Sequence, residues 1–144
     1  MASRSVALQT RETFDRVNTS TPVIHTSLTY TSASTSTTYM IAWSVQIAAL
    51  SSNATVELMD GTSTLVTCTV PANTDTLNFT YPDYPAVPVS GFYPVTYTAA
   101  ASRNFRIRVT RVSSAGEVIA YYGKIAAYAL GSTDGNFYLA SSTS

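Results

Sequence analysis

The chain has little charge, one cysteine, one histidine and no long apolar run. Of its 144 residues only 11% are charged, and eight basic residues balance eight acidic ones. Soluble domains usually carry about 25% charged residues. A neutral chain lacks the positive field that nucleic-acid binding needs, so nucleic acid is not expected as a partner. The single cysteine excludes a disulfide scaffold.

No segment of the sequence indicates secretion or membrane insertion. The first residues contain one early arginine but no apolar stretch of the kind that signal peptides need. No window approaches the roughly 18 uninterrupted apolar residues of a membrane helix. We therefore expect a protein made in a cytoplasm, with no membrane contact.

Hydroxyl side chains replace the missing charge. Ser and Thr together number 42, while 45% of the residues are hydrophobic. This apolar content is too high for a disordered chain, and the length fits one domain with a sizeable core.

From Pro22 onward the apolar residues recur with a period of two, which predicts strands. The clearest strand is Tyr39–Ala49, whose bulky residues fall on one face and whose small residues fall on the other. Asp60-Gly61 lies between two β-rich runs and predicts a hairpin turn. About eight strands without intervening helices predict an all-β fold, an antiparallel β-sandwich that is jelly-roll-like. An immunoglobulin-like sandwich and a closed barrel are the alternatives.

Further strands are predicted at 23–30, 54–59, 62–70, 76–81, 95–101, 104–112, 117–130 and 136–140. The proline-rich segment Pro82–Pro94 is predicted to be an irregular loop. Gly123 indicates a bulge in its strand. The neighbouring Tyr121 and Tyr122 are expected on opposite faces of that strand.

The two ends of the chain differ from the middle. Residues 1–21 contain three basic and two acidic residues without a clean period, which predicts an extended N-terminal arm. Residues 22–140 form the predicted β-sandwich domain, and residues 141–144 a loose tail. Terminal arms order only when something holds them.

The residues that could support catalysis are few. His25 is the one histidine and lies in a predicted strand, where a structural role is the usual one. Cys68 alternates with Val66 and Val70 and is expected to be a buried core thiol. One histidine and one cysteine cannot build a zinc site, and no phosphate-binding loop is present. A pair of carboxylates that meet in space, as in a glycosidase, is the one catalytic alternative that the sequence leaves open. We therefore expect no enzymatic activity, no metal and no cofactor.

Half of the positive charge lies between Arg103 and Arg111. On a strand, Arg106 and Arg108 would project together to the outside, which suits docking on an acidic protein surface. A charged solvent face that protects an edge is the plainer interpretation. The predicted protein interface consists of this stripe and the arm: Arg4, Arg11, Phe14, Arg16, Arg103, Arg106, Arg108 and Arg111.

Tyrosine is the most abundant aromatic residue, with ten copies. Four aromatic residues lie in or near the proline-rich segment and are candidates for contact with a glycan: Tyr81, Tyr84, Phe92 and Tyr93. Packing of the sandwich rim is the plainer role for such residues.

A jelly-roll body with an extended terminal arm resembles the small virion proteins of phages, specifically capsid decoration or cement proteins. The resemblance covers roughly residues 22–140 and includes no diagnostic motif. It implies a non-catalytic protein that binds the major capsid protein or other virion subunits and stabilises the shell, as a dimer or trimer located in the virion. Short phage fibre or spike domains are also similar, and they imply carbohydrate or receptor binding instead.

Overall fold

The structure is a computed structural model that describes residues 6–11, 13–73, 85–130 and 137–138. Within these ranges the chain is built of strands: β1 (Val6–Arg11), β2 (Asp15–Val17), β3 (Val23–Thr31), β4 (Thr37–Leu50), β5 (Ala54–Asp60), β6 (Ser63–Val70), β7 (Val87–Tyr97), β8 (Ser102–Arg111), β9 (Glu117–Leu130) and β10 (Phe137–Tyr138). None of the described segments is a helix that could cross a membrane.

The strands form two sheets that pack against each other. Sheet A has the order β1-β9-β4-β7, with β2 and β10 also paired to β9, and sheet B has the order β3-β8-β5-β6. Every ladder is antiparallel. When β1 and β2 are counted as one interrupted strand, this is the strand order of an eight-stranded jelly roll. The predicted antiparallel β-sandwich is confirmed.

The core lies between the two sheets and follows the predicted alternation. On β4 the side chains of Ile41, Val45 and Ile47 are at most 1% exposed, and those on the alternate positions face outward. On β8 the inward residues Phe105 and Ile107 are fully buried. Burial of these large side chains is the main force that holds the sheets together.

The described part of the predicted N-terminal arm is extended and lies along β9. Six residues of β1 pair with Gly123–Tyr128, and β2 pairs with Val118–Ala120. The side chain of Val17 is 1% exposed and belongs to the core. The segment is therefore held in place by hydrogen bonds within the chain, and it contributes an edge of sheet A.

The proline-rich segment differs from the prediction. Residues 85–94 were expected in an irregular loop, but Val87–Tyr97 is a continuous strand in register with β4. This strand lies at the edge of sheet A, and Pro88 and Pro94 are six residues apart, so their nitrogens point to the same side. An edge strand tolerates proline where the missing N–H would face away from its partner. The predicted strand 76–81 lies outside the described residues.

The predicted bulge is present in β9. Ser44 lies opposite Lys124, but Gln46 lies opposite Tyr121, so one extra residue is inserted in β9. Tyr122 has a φ of 50° there, a conformation that costs strain outside glycine. Because of this bulge the rings of Tyr121 and Tyr122 stack, with centroids 6.3 Å apart. The expectation that they face opposite sides is wrong, since it assumed an unbroken strand.

Replacing Gly123 with alanine is expected to destabilise the protein. A Cβ at this position would lie 1.8 Å from the Thr26 hydroxyl oxygen and 2.5 Å from the His25 ring, so both strands must move. Overpacking of this kind costs about 1–3 kcal/mol. Urea unfolding of Gly123→Ala should show this loss.

The matched control is Gly91→Ala. Its Cβ would approach the Trp43 indole at 3.2 Å, a contact that small movements can relieve. Equal losses in the two variants would contradict the assigned role of Gly123.

Candidate functional site

His25 is buried between the two sheets at the β9 bulge. Its side chain is fully shielded from solvent, and Nδ1 lies 2.7 Å from a carboxylate oxygen of Asp15. On its other side Nε2 accepts a hydrogen bond from the Gly123 backbone N–H at 3.1 Å. A ring nitrogen that accepts from N–H must be deprotonated, so the neutral ring carries its proton on Nδ1 and donates it to Asp15.

Arg11 completes this cluster. Its guanidinium donates to the second Asp15 oxygen and to the His25 carbonyl, each at 3.1 Å. Burial lowers the pKa of His25 from its usual 6.5, while the nearby Asp15 carboxylate opposes the shift. Both ring nitrogens are thus used within the fold, and the cluster joins β1, β2 and β3 to β9.

Cys68 lies on β6 and packs against the core, as its predicted inward face requires, but it is half-buried and not the fully buried thiol that was expected. Among the described residues no three His, Cys, Asp or Glu side chains come together around a common point where a metal ion could be held.

Within the arginine stripe, Arg106 and Arg108 lie on the outer face of sheet B, as the alternation predicted. Arg108 forms a bidentate ion pair with Glu57 on the neighbouring strand, with nitrogen–oxygen distances of 2.8 and 2.9 Å. The guanidinium and the Thr64 hydroxyl hold the pKa of Glu57 below its usual value. The negative charge that Arg108 needs is therefore supplied by the same sheet.

The other arginines of the predicted interface also have partners within the chain. The Arg103 guanidinium lies 3.6 Å above the centre of the Tyr97 ring, and Arg111 donates to the Gly116 carbonyl at 2.8 Å. Arg106 donates to the Gly61 carbonyl, and Arg16 pairs with Glu117. A partner's carboxylate would have to displace these contacts. Arg4 lies outside the described residues.

Phe14, the apolar member of the predicted interface, is 40% exposed. Its ring centroid lies 6.1 Å from that of Tyr121, which in turn stacks on Tyr122. Tyr122 is 58% exposed. The β9 bulge and the break between β1 and β2 thus place three aromatic rings side by side at one end of sheet A.

The structure separates the residues proposed for glycan contact. Phe92 is 75% exposed on the outer face of sheet A, whereas Tyr93 points inward and packs against the core. Tyr81 and Tyr84 lie outside the described residues. Neighbouring residues on a strand face opposite sides, so Phe92 and Tyr93 cannot contact one ligand together.

The strand pairing builds a surface that the sequence did not reveal as a unit. One row across four strands contains Leu8, Ala126, Ala42 and Phe92, and the next contains Thr10, Lys124, Ser44 and Ser90. Met40, Pro94 and Tyr128 form a third row. We call these eleven residues the outer face of sheet A. Lys124 is its only charged residue.

The side chains at the centre of the outer face of sheet A are small, and those at its two edges are large and exposed. Alanines occupy the centre, while Phe92 and Leu8 stand at the two edges with 75% and 40% exposure. A groove of about 280 Å³ runs along the β7 side, between Phe92 and Tyr128. The one sequence signal for this surface was the row of small residues on the outward side of β4.

Comparison with known proteins identifies no functional residue. The chain matches no protein-family model and no curated protein. The functional assignment therefore rests on the geometry of the described residues.

The stability of the protein should fall as the pH drops below about 6.5. His25 has a lowered pKa in the fold, so below its ordinary pKa of 6.5 the unfolded chain binds more protons than the folded chain. The free energy of unfolding must then decrease with decreasing pH. Urea titrations between about pH 8 and about pH 5 measure this slope.

Two comparisons test the role of His25 in this slope. The chain has one histidine, so a single imidazole NMR signal reports its titration directly, with a midpoint expected below 6.5. The His25→Asn variant should lose the slope. An unchanged slope in that variant would assign the effect to other groups.

Proposed function

We propose that this protein is a non-enzymatic structural subunit of a virus particle, of the capsid decoration or cement type. It binds the capsid shell through the outer face of sheet A. The observation that carries the proposal is this wide, exposed face with one charge, Lys124. Two of its three rows consist of apolar residues apart from the Tyr128 hydroxyl, and contiguous apolar surface on soluble proteins typically marks interaction sites.

The shape of the face suits a broad protein partner. Small residues at Ala42 and Ala126 allow another backbone to approach, and Phe92 supplies a large apolar side chain that a partner can bury. Full burial of such a side chain contributes about 1.5–3 kcal/mol. The groove beside Phe92 offers room for a matching side chain from the shell.

The two faces of the sandwich differ in what they offer a partner. On sheet B the guanidinium of Arg108 is already neutralised by Glu57, and the exposed residues of the flanking strands β3 and β6 are threonines and serines. Docking there would cost the energy of breaking an ion pair that is half-shielded from solvent. The outer face of sheet A requires no such loss, which favours it over the arginine stripe.

Fold and chemistry support the same class of function. The jelly-roll strand order is found in viral capsid domains, although a fold alone does not determine function. A non-enzymatic role also agrees with the use of His25, since both its ring nitrogens bind groups of the fold.

A charge placed in the middle of the outer face of sheet A should abolish particle binding. Ala42→Arg puts a guanidinium at the centre of the apolar rows, where docking would bury it unpaired. We expect wild-type protein to co-sediment with particles that have been stripped of the chain, and Ala42→Arg protein to remain in the supernatant.

The control is Thr29→Lys, which adds a similar charge to an exposed position of sheet B. It should bind as the wild type does. The proposal would be overturned if mass spectrometry found no copy of the chain in density-purified particles. It would also be overturned if Ala42→Arg bound stripped particles as well as the wild type does.

Carbohydrate binding is the second candidate, and exposed Phe92 beside the groove is the observation that favours it. A sugar ring could stack on Phe92 while Ser44, Ser90 and Lys124 donate hydrogen bonds. Lectin domains share the jelly-roll architecture.

A glycan array distinguishes this candidate from the first. Carbohydrate binding predicts a set of hits that the Phe92→Ala variant loses, with Phe14→Ala as the control at another exposed ring. An array without hits would remove this candidate.

A further inference from the structure

The four edges of the two sheets differ in their protection against pairing with another strand. Unprotected edges offer rows of N–H and C=O groups to any extended chain, and natural proteins block them with proline, charge or bulges. β7, an edge of sheet A, contains Pro88 and Pro94. A second strand placed there would find two positions without a donor.

The rim formed by β1, β2 and β3 is protected in another way. β1 and β2 contact β3 across the gap between the sheets. Arg11 donates to the His25 carbonyl of β3, and Asp15 binds the His25 ring. β3 also contains a register shift at this point, between Ile24 and Thr26. Charged groups and irregular backbone therefore occupy the part of this rim around His25.

β6 forms the remaining edge and has neither charge nor proline. It pairs with β5 on one side, and no strand in the described part of the chain pairs with its other side. A register shift at Leu65 leaves Val66–Val70 as a regular stretch of β-favouring residues. Thr67 and Thr69 are exposed, and Val66 and Cys68 are half-buried.

We propose that β6 binds β6 of a second copy of this chain in antiparallel orientation, so that two B sheets join into one continuous sheet. A two-fold axis between the strands makes the contact self-complementary. Backbone hydrogen bonds supply the affinity, as in other cases of strand addition.

The chemistry of β6 favours a second copy over a charged partner. The strand carries no ionised group, so two copies meet without repulsion, and threonines that face each other across a strand pair contribute favourably. Glu57, which lies opposite Thr67 on β5, is neutralised by Arg108 of β8. An acidic or basic peptide would find no opposite charge along this edge.

This dimer goes beyond the proposed docking on a capsid. The edge belongs to sheet B, whereas the docking face belongs to sheet A, so pairing of β6 leaves the outer face of sheet A available in both copies. The two proposals can therefore fail independently.

Lysines on β6 should convert the dimer to a monomer. The double variant Thr67→Lys with Thr69→Lys places like charges near each other across the two-fold axis, at positions that are already exposed. Light scattering coupled to size exclusion, over a wide concentration series, should give twice 15.4 kDa for the wild type and 15.4 kDa for the variant.

The matched control is Thr29→Lys with Thr31→Lys, which adds the same two charges to the opposite edge of sheet B. It should remain a dimer. A monomeric wild type, a β6 variant that stays dimeric, or loss of the dimer in both double variants would overturn the proposal.

A second measurement on the wild type does not depend on any variant. Pairing should protect alternate β6 amides from hydrogen exchange, and this protection should rise with protein concentration, whereas amides of β3 should not respond. Protection in β6 that is independent of concentration would likewise overturn the proposal.

Discussion

The hydrogen bond from the Gly123 backbone N–H to Nε2 of His25 is the contact on which the rest of the architecture depends. It joins the two sheets at the β9 bulge, and it fixes the tautomer in which His25 donates to Asp15. Asp15 and Arg11 then hold β2 and β1 against β9 and β3. This geometry requires glycine at position 123, because any Cβ there would collide with Thr26 and His25.

These polar contacts close one rim of the sandwich, so its two rims differ in how their strand edges are protected. Polar groups of Arg11, Asp15 and His25 occupy the rim between β1 and β3. At the opposite rim β6 and β7 belong to different sheets, and only β7 contains prolines. This asymmetry favours β6 for the proposed strand addition and the outer face of sheet A for the proposed docking.

The sequence predicted those elements that depend on residues close together in the chain. Alternation along β4 and β8 predicted their faces, Asp60-Gly61 predicted the hairpin, and Gly123 predicted the bulge. β7 was missed from Val87 to Pro94 because proline opposes strands in general, yet an edge position removes the conflict. The outer face of sheet A was not predicted as a unit, since Leu8, Ala126, Ala42 and Phe92 become neighbours only through the register of four strands.

The low charge content of the chain limits the ways in which it can associate with a partner. The described arginines of the predicted interface are bound within the chain, by Glu57, Glu117, Asp15, backbone carbonyls or the Tyr97 ring. Because the net charge is zero, there is little long-range attraction for a partner, and salt screens local charges beyond about 10 Å at ordinary ionic strength. Association of such a surface must therefore rely on short-range contacts, on buried apolar area and backbone hydrogen bonds. The outer face of sheet A provides the apolar area, and the β6 edge provides the backbone hydrogen bonds. Both kinds of contact contribute most in an assembly that brings many copies together at high local concentration.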